Sequence, residues 1–304
     1  MHRISKIHTV AFSCFLFSLV TMTSMSVHAQ EKNYSNERFA TRYSVISKEY
    51  QAKKYAGEPV IINIEENLDK ESRSFLTDKK QGYENQVADI SHQDEIKIRV
   101  TVPETALYQI CFDYLSYDSS ILPIELSFKI DAEYPFYEAR SLSFETTWVQ
   151  EDGVDKDRYG NEIVSLPDKK IQWESKYLMD ASYRYSAPLC VKLEEGEHEF
   201  CIGVKEGSLL LGNLTLCAPK EVPVYKESMP AEGNALISIE AENFSTRNNS
   251  SIHAVGEYDQ AISPLSAKET VLNIVDEDSF RKAGQTITYS FEVEASGFYY
   301  LGMN

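Results

Sequence analysis

The stretch from residue 131 to residue 188 contains most of the side chains in this sequence that could recognise a ligand. It is rich in aromatic residues, namely Tyr134, Phe136, Tyr137, Trp148, Tyr159, Trp173, Tyr177, Tyr183 and Tyr185. Exposed aromatic rings pack against the apolar C–H faces of sugars, and loops carry recognition more often than strands do. We predict that Trp148, Trp173 and Tyr137 bind carbohydrate. The alternative is that most of these rings pack the interior of a large insertion.

Polar side chains in the same stretch complete this candidate carbohydrate site. Asp131, Asp157 and Asn161 have oxygen atoms that can accept hydrogen bonds from sugar hydroxyls. Their order along the chain does not show whether they meet in space. We predict all three as ligand-binding residues, together with the rings.

The sequence carries no recognisable catalytic motif. It lacks a phosphate-binding glycine loop, a dinucleotide fingerprint and a Gly-x-Ser-x-Gly nucleophile turn. His92, His198 and His253 do not have the spacing of a metal motif. Carboxylates are numerous, but nothing in their spacing marks an acid–base pair. We therefore expect a binding protein and no enzyme activity.

The first 29 residues have the layout of a secretory signal peptide. Arg3 and Lys6 precede an apolar run that begins at Thr9, and Val27 and Ala29 stand three and one positions before a cleavage site. An uncleaved anchor is the alternative, because a run of about 19 residues approaches the length that spans a bilayer. We expect the protein to be secreted or held at the cell surface.

The chain is strongly acidic, which excludes one class of partner. Its formal net charge is −17, and loss of the signal peptide makes it −19 because Arg3 and Lys6 are removed. Such a chain repels the phosphate backbone of nucleic acids. We therefore exclude nucleic acid as a partner.

The remaining sequence alternates apolar and polar residues at period two, the period of a half-buried strand. The clearest strands are predicted at residues 60–64, 95–102, 107–114, 126–131 and 209–216. Helical periodicity is nearly absent, although residues 43–50 suit a short helix within a polar linker at residues 30–56 that we expect to dock weakly. The pattern predicts an all-β sandwich over residues 57–220.

A hairpin is predicted from Leu189 to Val204. Keeping the apolar side chains of both strands on one face requires Leu193 opposite His198. The same register sets Cys190 directly opposite Cys201, so we predict that the two sulfur atoms are neighbours. A Cys190–Cys201 disulfide and two free thiols both stay open, because directly opposed strand residues often have poor torsion for a disulfide.

The chain repeats itself after a linker at residues 221–234. Residues 236–244 resemble residues 60–68, and residues 286–301 match residues 95–110 in the order of strand, turn and tyrosine-bearing strand. The first copy occupies about 160 residues and the second only about 70. We therefore predict a second, incomplete β-sandwich at residues 235–304 in a chain that is a fragment of a longer protein.

Several segments resemble the N-terminal region of large bacterial extracellular solute-binding proteins, which serve ABC importers of oligosaccharides. They are Asp131–Ala139, Phe144 with Trp148, Asp157–Asn161, Gln172–Trp173 and the acidic turn before Phe200. The resemblance covers residues 45–304 and implies two carbohydrate-binding-like jelly-roll domains ahead of a solute-binding domain that this sequence lacks. It breaks down after Asn161, where the family has Gly-Asn-Asp followed by Arg-Pro.

The resemblance also implies a structural calcium ion. Glu240 and Glu242 are similar to the acidic opening strand of jelly-roll carbohydrate-binding modules, in which such glutamates hold calcium. Glu65 and Glu66 stand at that place in the first copy, and Asn213 stands where such modules place a further ligand. Carboxylate oxygens suit Ca²⁺. The alternative is a solvated, acid-rich end of a strand.

Three functions follow, in order of preference. The first is a non-catalytic carbohydrate-binding accessory region of a solute-binding protein for ABC-type uptake, with an oligosaccharide or polysaccharide as the partner. Contact with the importer's membrane subunits would require the missing solute-binding domain. The second is a binding module of a secreted glycoside hydrolase, and the third is a surface adhesin or structural sandwich without sugar affinity.

Overall fold

The computed structural model describes residues 41–50, 52–79, 81–150, 154–220, 236–294 and 299–303. The predicted signal peptide and the linker at residues 221–234 lie outside the described residues. Within the described ranges, no helix is long and apolar enough to cross a membrane.

Short helices and many strands make up the described chain. The helices are α1 (Tyr43–Glu49) and α2 (Ile64–Asn67), and two 3₁₀ turns span Ser72–Phe75 and Tyr137–Arg140. The strands are β1 (Val60–Ile62), β2 (Leu76–Thr77), β3 (Val87–Ser91), β4 (Glu95–Val102), β5 (Ala106–Ser116), β6 (Ile124–Ile130), β7 (Leu142–Phe144), β8 (Trp148–Val149), β9 (Asp168–Lys169), β10 (Glu174–Tyr177), β11 (Cys190–Leu193), β12 (Gly196–Glu206), β13 (Ser208–Cys217), β14 (Thr246–Arg247), β15 (Ala254–Val255), β16 (Ile274–Val275) and β17 (Ile287–Thr288).

Two antiparallel sheets face each other and form a jelly-roll-type sandwich. The seven-stranded sheet runs β10-β5-β13-β3-β2, with β1 beside β13 and β11 beside β5, and the four-stranded sheet runs β4-β12-β6-β7. The predicted all-β fold is confirmed. One continuous apolar core fills the space between the sheets, and its largest side chains include Tyr108, Phe112, Phe128 and Phe200.

Strand β4 shows why this sequence forms a sandwich. Its burial alternates residue by residue, with Ile96, Ile98, Val100 and Val102 buried and the residues between them turned outward. Successive side chains of a strand point to opposite faces, so period-two alternation places every apolar side chain of β4 in the core. The strand predicted at residues 95–102 is therefore confirmed.

The predicted hairpin from Leu189 to Val204 is wrong, although both of its strands exist. Strand β11 pairs with β5 in the seven-stranded sheet, whereas β12 pairs with β4 and β6 in the opposite sheet. The short turn between β11 and β12 thus crosses from one sheet to the other. Both strands still direct their apolar residues into the same core, because alternation specifies the buried face of a strand and not its partner.

The predicted proximity of Cys190 and Cys201 fails for the same reason. Cys190 lies opposite Gln109, and Cys201 lies opposite Lys97 and Lys129 in the other sheet. The four cysteines of the described residues, Cys111, Cys190, Cys201 and Cys217, are free thiols. Burial and a hydrogen bond with Glu95 raise the pKa of Cys201 to about 12.

The segment before the sandwich docks more closely than the sequence indicated. The predicted helix is present as α1, and the Tyr43 ring packs edge-on against Phe136 and Tyr185 with ring centroids 5.0 Å apart in both pairs. Further along, the buried Tyr55 ring stacks on Tyr108 at 4.6 Å. A few aromatic rings are enough to hold this polar segment against the sandwich, because each ring buries a large area.

Residues 236–303, which we call the repeat region, do not form long strands. The strand predicted at residues 236–244 is absent from the described residues, and residues 286–301 contribute only the two-residue strand β17. Strands β14 and β17 instead extend β8 and β9 in a separate four-stranded sheet, while β15 pairs with β16. A strand needs a neighbour to satisfy its backbone groups, so alternation without a partner strand does not suffice.

Candidate functional site

A small cavity opens where the 3₁₀ turn at Tyr137–Arg140 meets the segment after β10. Its volume is about 170 Å³, and its lining comprises Tyr137, Glu138, Arg140, Ser141, Asp180, Ala181, Ser182, Arg184 and Lys205. We call it the Tyr137 cavity. Tyr137 is the only residue of the predicted carbohydrate site that lines it.

Backbone hydrogen bonds hold the two walls of the Tyr137 cavity together. The Ala181 amide donates to the Ser141 carbonyl at 3.2 Å, and Leu142 forms an isolated antiparallel bridge with Asp180. The Ser141 hydroxyl donates to Glu125 Oε1 at 2.7 Å, which ties the same wall to β6. The lining residues are therefore positioned by the sheet and not by a free loop.

Two buried carboxylates form the floor of the cavity, and both already accept hydrogen bonds. Glu138 Oε2 accepts from the Tyr43 amide at 2.8 Å, and Glu138 Oε1 accepts from the Tyr185 hydroxyl at 3.3 Å. The two Asp180 oxygens accept from the Arg184 amide at 3.2 and 3.3 Å. Buried charges need such partners, so these acids shape the site.

The Tyr137 ring offers an apolar surface at the mouth of the cavity. Its side chain is 45% exposed, and the Arg140 guanidinium carbon lies 5.0 Å from the ring centroid. A cation over an aromatic face is stabilised by the ring quadrupole and also restrains the ring. The arrangement places a restrained aromatic ring beside several polar groups.

Trp148 is not an exposed platform. It is 5% exposed, and its strand β8 pairs with Lys169 of β9 and Arg247 of β14. Lys169 Nζ lies 6.0 Å from the indole ring centroid. The prediction of an exposed binding ring is wrong here, because Trp148 joins the sandwich to the repeat region.

Trp173 lies on the outer face of the seven-stranded sheet and does not line the Tyr137 cavity. Its ring centroid is 4.3 Å from that of Tyr83. Both rings pack against a small cluster made by Val87, Leu115 and Leu210. The half-buried indole thus covers an apolar patch of the sheet.

Asp131 terminates a tight hairpin. Asp131 and Ala132 have φ of 51° and 68°, and Ile130 and Glu133 exchange backbone hydrogen bonds around them. Two consecutive positive φ values are typical of a two-residue hairpin turn. The Asp131 carboxylate accepts from His198 Nδ1 at 2.7 Å and from the Glu199 amide at 2.9 Å, so its oxygens serve the fold.

Asp157 and Asn161 close a loop and attach it to the repeat region. Asp157 Oδ1 accepts from the amides of Tyr159 and Asn161 at 2.7 and 3.0 Å, and Asn161 Nδ2 donates to Asp157 Oδ2 at 3.0 Å. The side-chain bond from Asn161 lowers the pKa of Asp157. Asn161 Oδ1 accepts from the Thr270 amide at 2.9 Å. These two residues come together, and their polar atoms bind each other and the Thr270 amide, so ligand binding by them stays a prediction.

The other aromatic residues of the stretch divide between core and surface. Phe136 is fully buried, and Tyr134 and Tyr185 pack against the core. Tyr183 has φ of 47° and lies so close to Gly284 that a β-carbon there would come within 2.4 Å of its ring. Tyr159 is 67% exposed, with the Arg158 guanidinium carbon 4.7 Å from its ring centroid, but it does not line the Tyr137 cavity.

The predicted calcium ligands show one unpartnered oxygen. Glu242 Oε2 is buried and has no hydrogen-bond partner among the described residues. Burial, reinforced by Glu240 and Glu162, raises the pKa of Glu242. Two carboxylates fall short of the roughly six to eight oxygens that Ca²⁺ takes. No group of three or more His, Cys, Asp or Glu side chains in the described part of the chain is arranged to hold a metal. Calcium at Glu240 and Glu242 stays a prediction.

Sequence reasoning missed most of the cavity lining. Arg140, Ser141, Asp180, Ser182 and Arg184 lie within the aromatic stretch, where the alternation of tyrosine with arginine at residues 183–185 was the available signal. Lys205 could not have been found this way, because it lies at the end of β12 and only the sheet brings it to residues 137–141.

Comparison with known proteins gave likeness of structure only. No protein-family model matches the sequence, and no curated protein matches it. A family 35 carbohydrate binding module from Clostridium thermocellum superposes with a TM-score of 0.34 and 13% identity, covering 53% of this chain and 99% of that one. A CBM35 from Cellvibrio japonicus gives 0.33 and 8% identity, covering 54% and 95%.

A larger enzyme chain also superposes in part. The Podospora anserina GH26-CBM35 β-(1,4)-mannanase gives a TM-score of 0.33 and 14% identity, and the match covers 55% of this chain and 29% of the mannanase. At such TM-scores the likeness carries no information on a ligand for this chain.

Proposed function

We propose that this chain is a non-catalytic carbohydrate-binding region, and that the Tyr137 cavity is where it binds a sugar. The observation that carries this proposal is the half-exposed, arginine-restrained Tyr137 ring beside a polar cavity of about 170 Å³. A pyranose ring presents an apolar face and several hydroxyls, so it matches an aromatic surface flanked by hydrogen-bonding groups.

The size of the cavity favours one sugar ring over a long polysaccharide. Pockets for drug-sized ligands are roughly 300–1,000 Å³, which is larger than the 170 Å³ of this cavity. Ser141 and Ser182 add hydroxyl groups to the lining. We propose recognition of a terminal or branching residue of a glycan.

The hydrogen bonds made by Glu138 and Asp180 support binding without catalysis. A glycosidase needs one carboxyl group free to give up a proton and a second one free to act as base or nucleophile. Glu138 accepts hydrogen bonds from the Tyr43 amide and the Tyr185 hydroxyl, and the Arg184 amide donates to both oxygens of Asp180. Both carboxylates are therefore held by contacts of the fold and are not arranged as an acid and base pair.

We also propose the kind of protein in which this carbohydrate-binding region acts. Its resemblance to the N-terminal region of extracellular solute-binding proteins supports an accessory role in ABC-type oligosaccharide uptake at the cell surface. A binding module of a secreted glycoside hydrolase is the alternative. The coding sequence that follows Asn304 distinguishes them, since a solute-binding domain there supports the first and a catalytic domain supports the second.

Sugar binding is tested with the full chain on a glycan array, followed by calorimetric titration of the glycans that bind. Tyr137→Ala is expected to weaken binding by about tenfold, because a ring contact is worth roughly 0.5–1.5 kcal/mol beyond the apolar area that it buries. Tyr159→Ala is the matched control, since Tyr159 also has an arginine over its ring but lies outside the cavity. Equal affinity of wild type and Tyr137→Ala would reject the site, and a flat array would favour an adhesin or structural sandwich.

A further inference from the structure

The Tyr137 cavity is more cationic than the protein that contains it. Arg140, Arg184 and Lys205 line it, against two acidic residues, whereas the whole chain has a formal net charge of −17. Like charges that lie close together repel each other unless other charges offset them. The partners of Arg184 and Lys205 therefore decide whether the cavity can take an anion.

Among the described residues, neither acid of the lining forms an ion pair with Arg184 or Lys205. Glu138 and Asp180 are buried, and in the described chain they accept hydrogen bonds from the Tyr43 amide, the Tyr185 hydroxyl and the Arg184 amide. Arg184 contributes only its backbone amide to Asp180. In the described part of the chain its guanidinium makes no hydrogen bond or ion pair.

Lys205 is held only loosely. Its Nζ lies 3.9 Å from Glu125 Oε1, which is beyond hydrogen-bond distance, and that oxygen already accepts from the Ser141 hydroxyl at 2.7 Å. Both side chains of this pair are about 40% exposed or more. A solvent-exposed pair at this distance contributes little, so Lys205 can turn to another anion at small cost.

We propose that the Tyr137 cavity selects a sugar ring that carries a carboxylate, with Arg184 as its main partner and Lys205 as a second. The inference rests on the proposed function, because it names the chemical class of the sugar that stacks on Tyr137. A guanidinium donates two parallel hydrogen bonds to a carboxylate, a geometry that an ammonium cannot reproduce. Arg140 lies over the Tyr137 ring and maintains the platform.

The test compares sugars that differ only in the acid group. Glucuronic acid is titrated against glucose, and galacturonic acid against galactose, using the full chain at low salt. Acetate alone shows whether the carboxylate binds without the ring. We expect at least one acid to bind about tenfold more tightly than its neutral partner, the gain expected of a charge-assisted hydrogen bond. That preference should shrink as salt is added.

Two substitutions of Arg184 test whether this residue causes the preference for the acidic sugar. Arg184→Ala is expected to remove the tenfold preference while leaving affinity for the neutral sugar, and Arg184→Lys is expected to restore only part of it. Arg158→Ala is the matched control, because Arg158 lies beside Tyr159 outside the cavity. Circular dichroism of each variant shows whether the sandwich is folded.

Each outcome of the test has a separate meaning. Neutral sugars that bind as tightly as their acids overturn the carboxylate inference and leave the proposed function standing. Failure of all four sugars and of the glycan array rejects the proposed function itself. An acid preference that survives Arg184→Ala places the carboxylate elsewhere and overturns the role of Arg184. Binding of acetate as tightly as of the uronic acids identifies an anion site without sugar recognition.

Discussion

Residues 95–110 and 286–301 share one sequence pattern, in which Ile110 and Leu301 occupy equivalent positions. Ile110 is nevertheless fully buried, whereas Leu301 is 86% exposed. The same contrast separates Val102, which is 1% exposed, from Val293, which is 47% exposed. In the sandwich region, residues 57–220, strands β12 and β13 lie beside or across from β4 and β5 and bury their apolar faces. Alternation therefore provides a face that can be buried, and a second sheet is needed to bury it.

The sandwich region and the repeat region also differ in the interactions that stabilise them. The sandwich region is stabilised by its apolar core, whereas polar contacts attach the repeat region to it, among them the Thr270 amide to Asn161 Oδ1 and the Leu272 amide to Glu162 Oε2 at 2.8 Å. The buried Arg247 has no partner for Nε or Nη2 among the described residues. An unsatisfied buried donor costs free energy, so the repeat region is the less stable of the two.

The largest expected effect comes from truncating the same position in both copies. Ile110→Ala should lower the free energy of unfolding by about 2–5 kcal/mol, because it leaves a cavity in a packed core. Leu301→Ala should change it by less than about 0.5 kcal/mol, as is usual for exposed positions. Urea unfolding followed by circular dichroism measures both. Similar losses at the two positions would contradict the contrast in burial.

A smaller effect is expected where the regions join. Asn161→Ala removes the acceptor of the Thr270 amide and should cost about 1–3 kcal/mol, the penalty for an unsatisfied backbone donor. Hydrogen exchange at Thr270 should become faster, while exchange in β4 stays slow. Asn249→Ala is the control, because Asn249 Oδ1 accepts from Ser251 within its own turn. Unchanged exchange at Thr270 would show that Asn161 does not hold the regions together.

The smallest effect is a pH dependence of the sandwich region. Burial opposes the charged imidazole, but hydrogen bonds to Asp131 and to the Glu194 carbonyl outweigh it and raise the pKa of His198. Burial likewise opposes the Asp131 carboxylate, but bonds from the Glu199 amide and His198 lower the pKa of Asp131. Since Asp131 is half exposed, the pair should contribute below about 1 kcal/mol.

The direction of the pH dependence follows from the raised pKa of His198 and the lowered pKa of Asp131. The His198 contribution is complete below its unfolded pKa, about 6.5, and is lost as the pH rises through the raised folded value. The Asp131 contribution is complete above about 3.9 and is lost as the pH falls through the lowered value. His198→Gln should flatten stability between about pH 6 and 8. A slope that is unchanged in His198→Gln would contradict the assignment.

Much of the sandwich was predictable because its strands are half buried. The period-two pattern of Glu95–Val102 places its apolar side chains on one face, and that face is the one the core buries. The pairing of Cys190 with Cys201 was not predictable from the same pattern, since two strands that face a common core are equally well accommodated in one sheet or in opposite sheets.

The candidate site was less predictable than the fold. The sequence indicated that the ligand-binding rings lie between residues 131 and 188, and Tyr137 is exposed within that stretch, but Trp148 is buried in a sheet shared with the repeat region. Aromatic residues are equally suited to cores and to ligand contact. Their composition therefore does not distinguish a buried ring from an exposed one.

By itself the sequence determined which residues alternate, hence the all-β fold, the acidic charge and the stretch in which recognition residues lie. Only the tertiary structure decided which strands share a sheet, which rings are exposed and which cations meet at the Tyr137 cavity. The physical reason is the separation along the chain of the residues that each property involves. Alternation and charge are properties of neighbouring residues, whereas Tyr137, Arg184 and Lys205 are brought together by contacts between strands far apart along the chain.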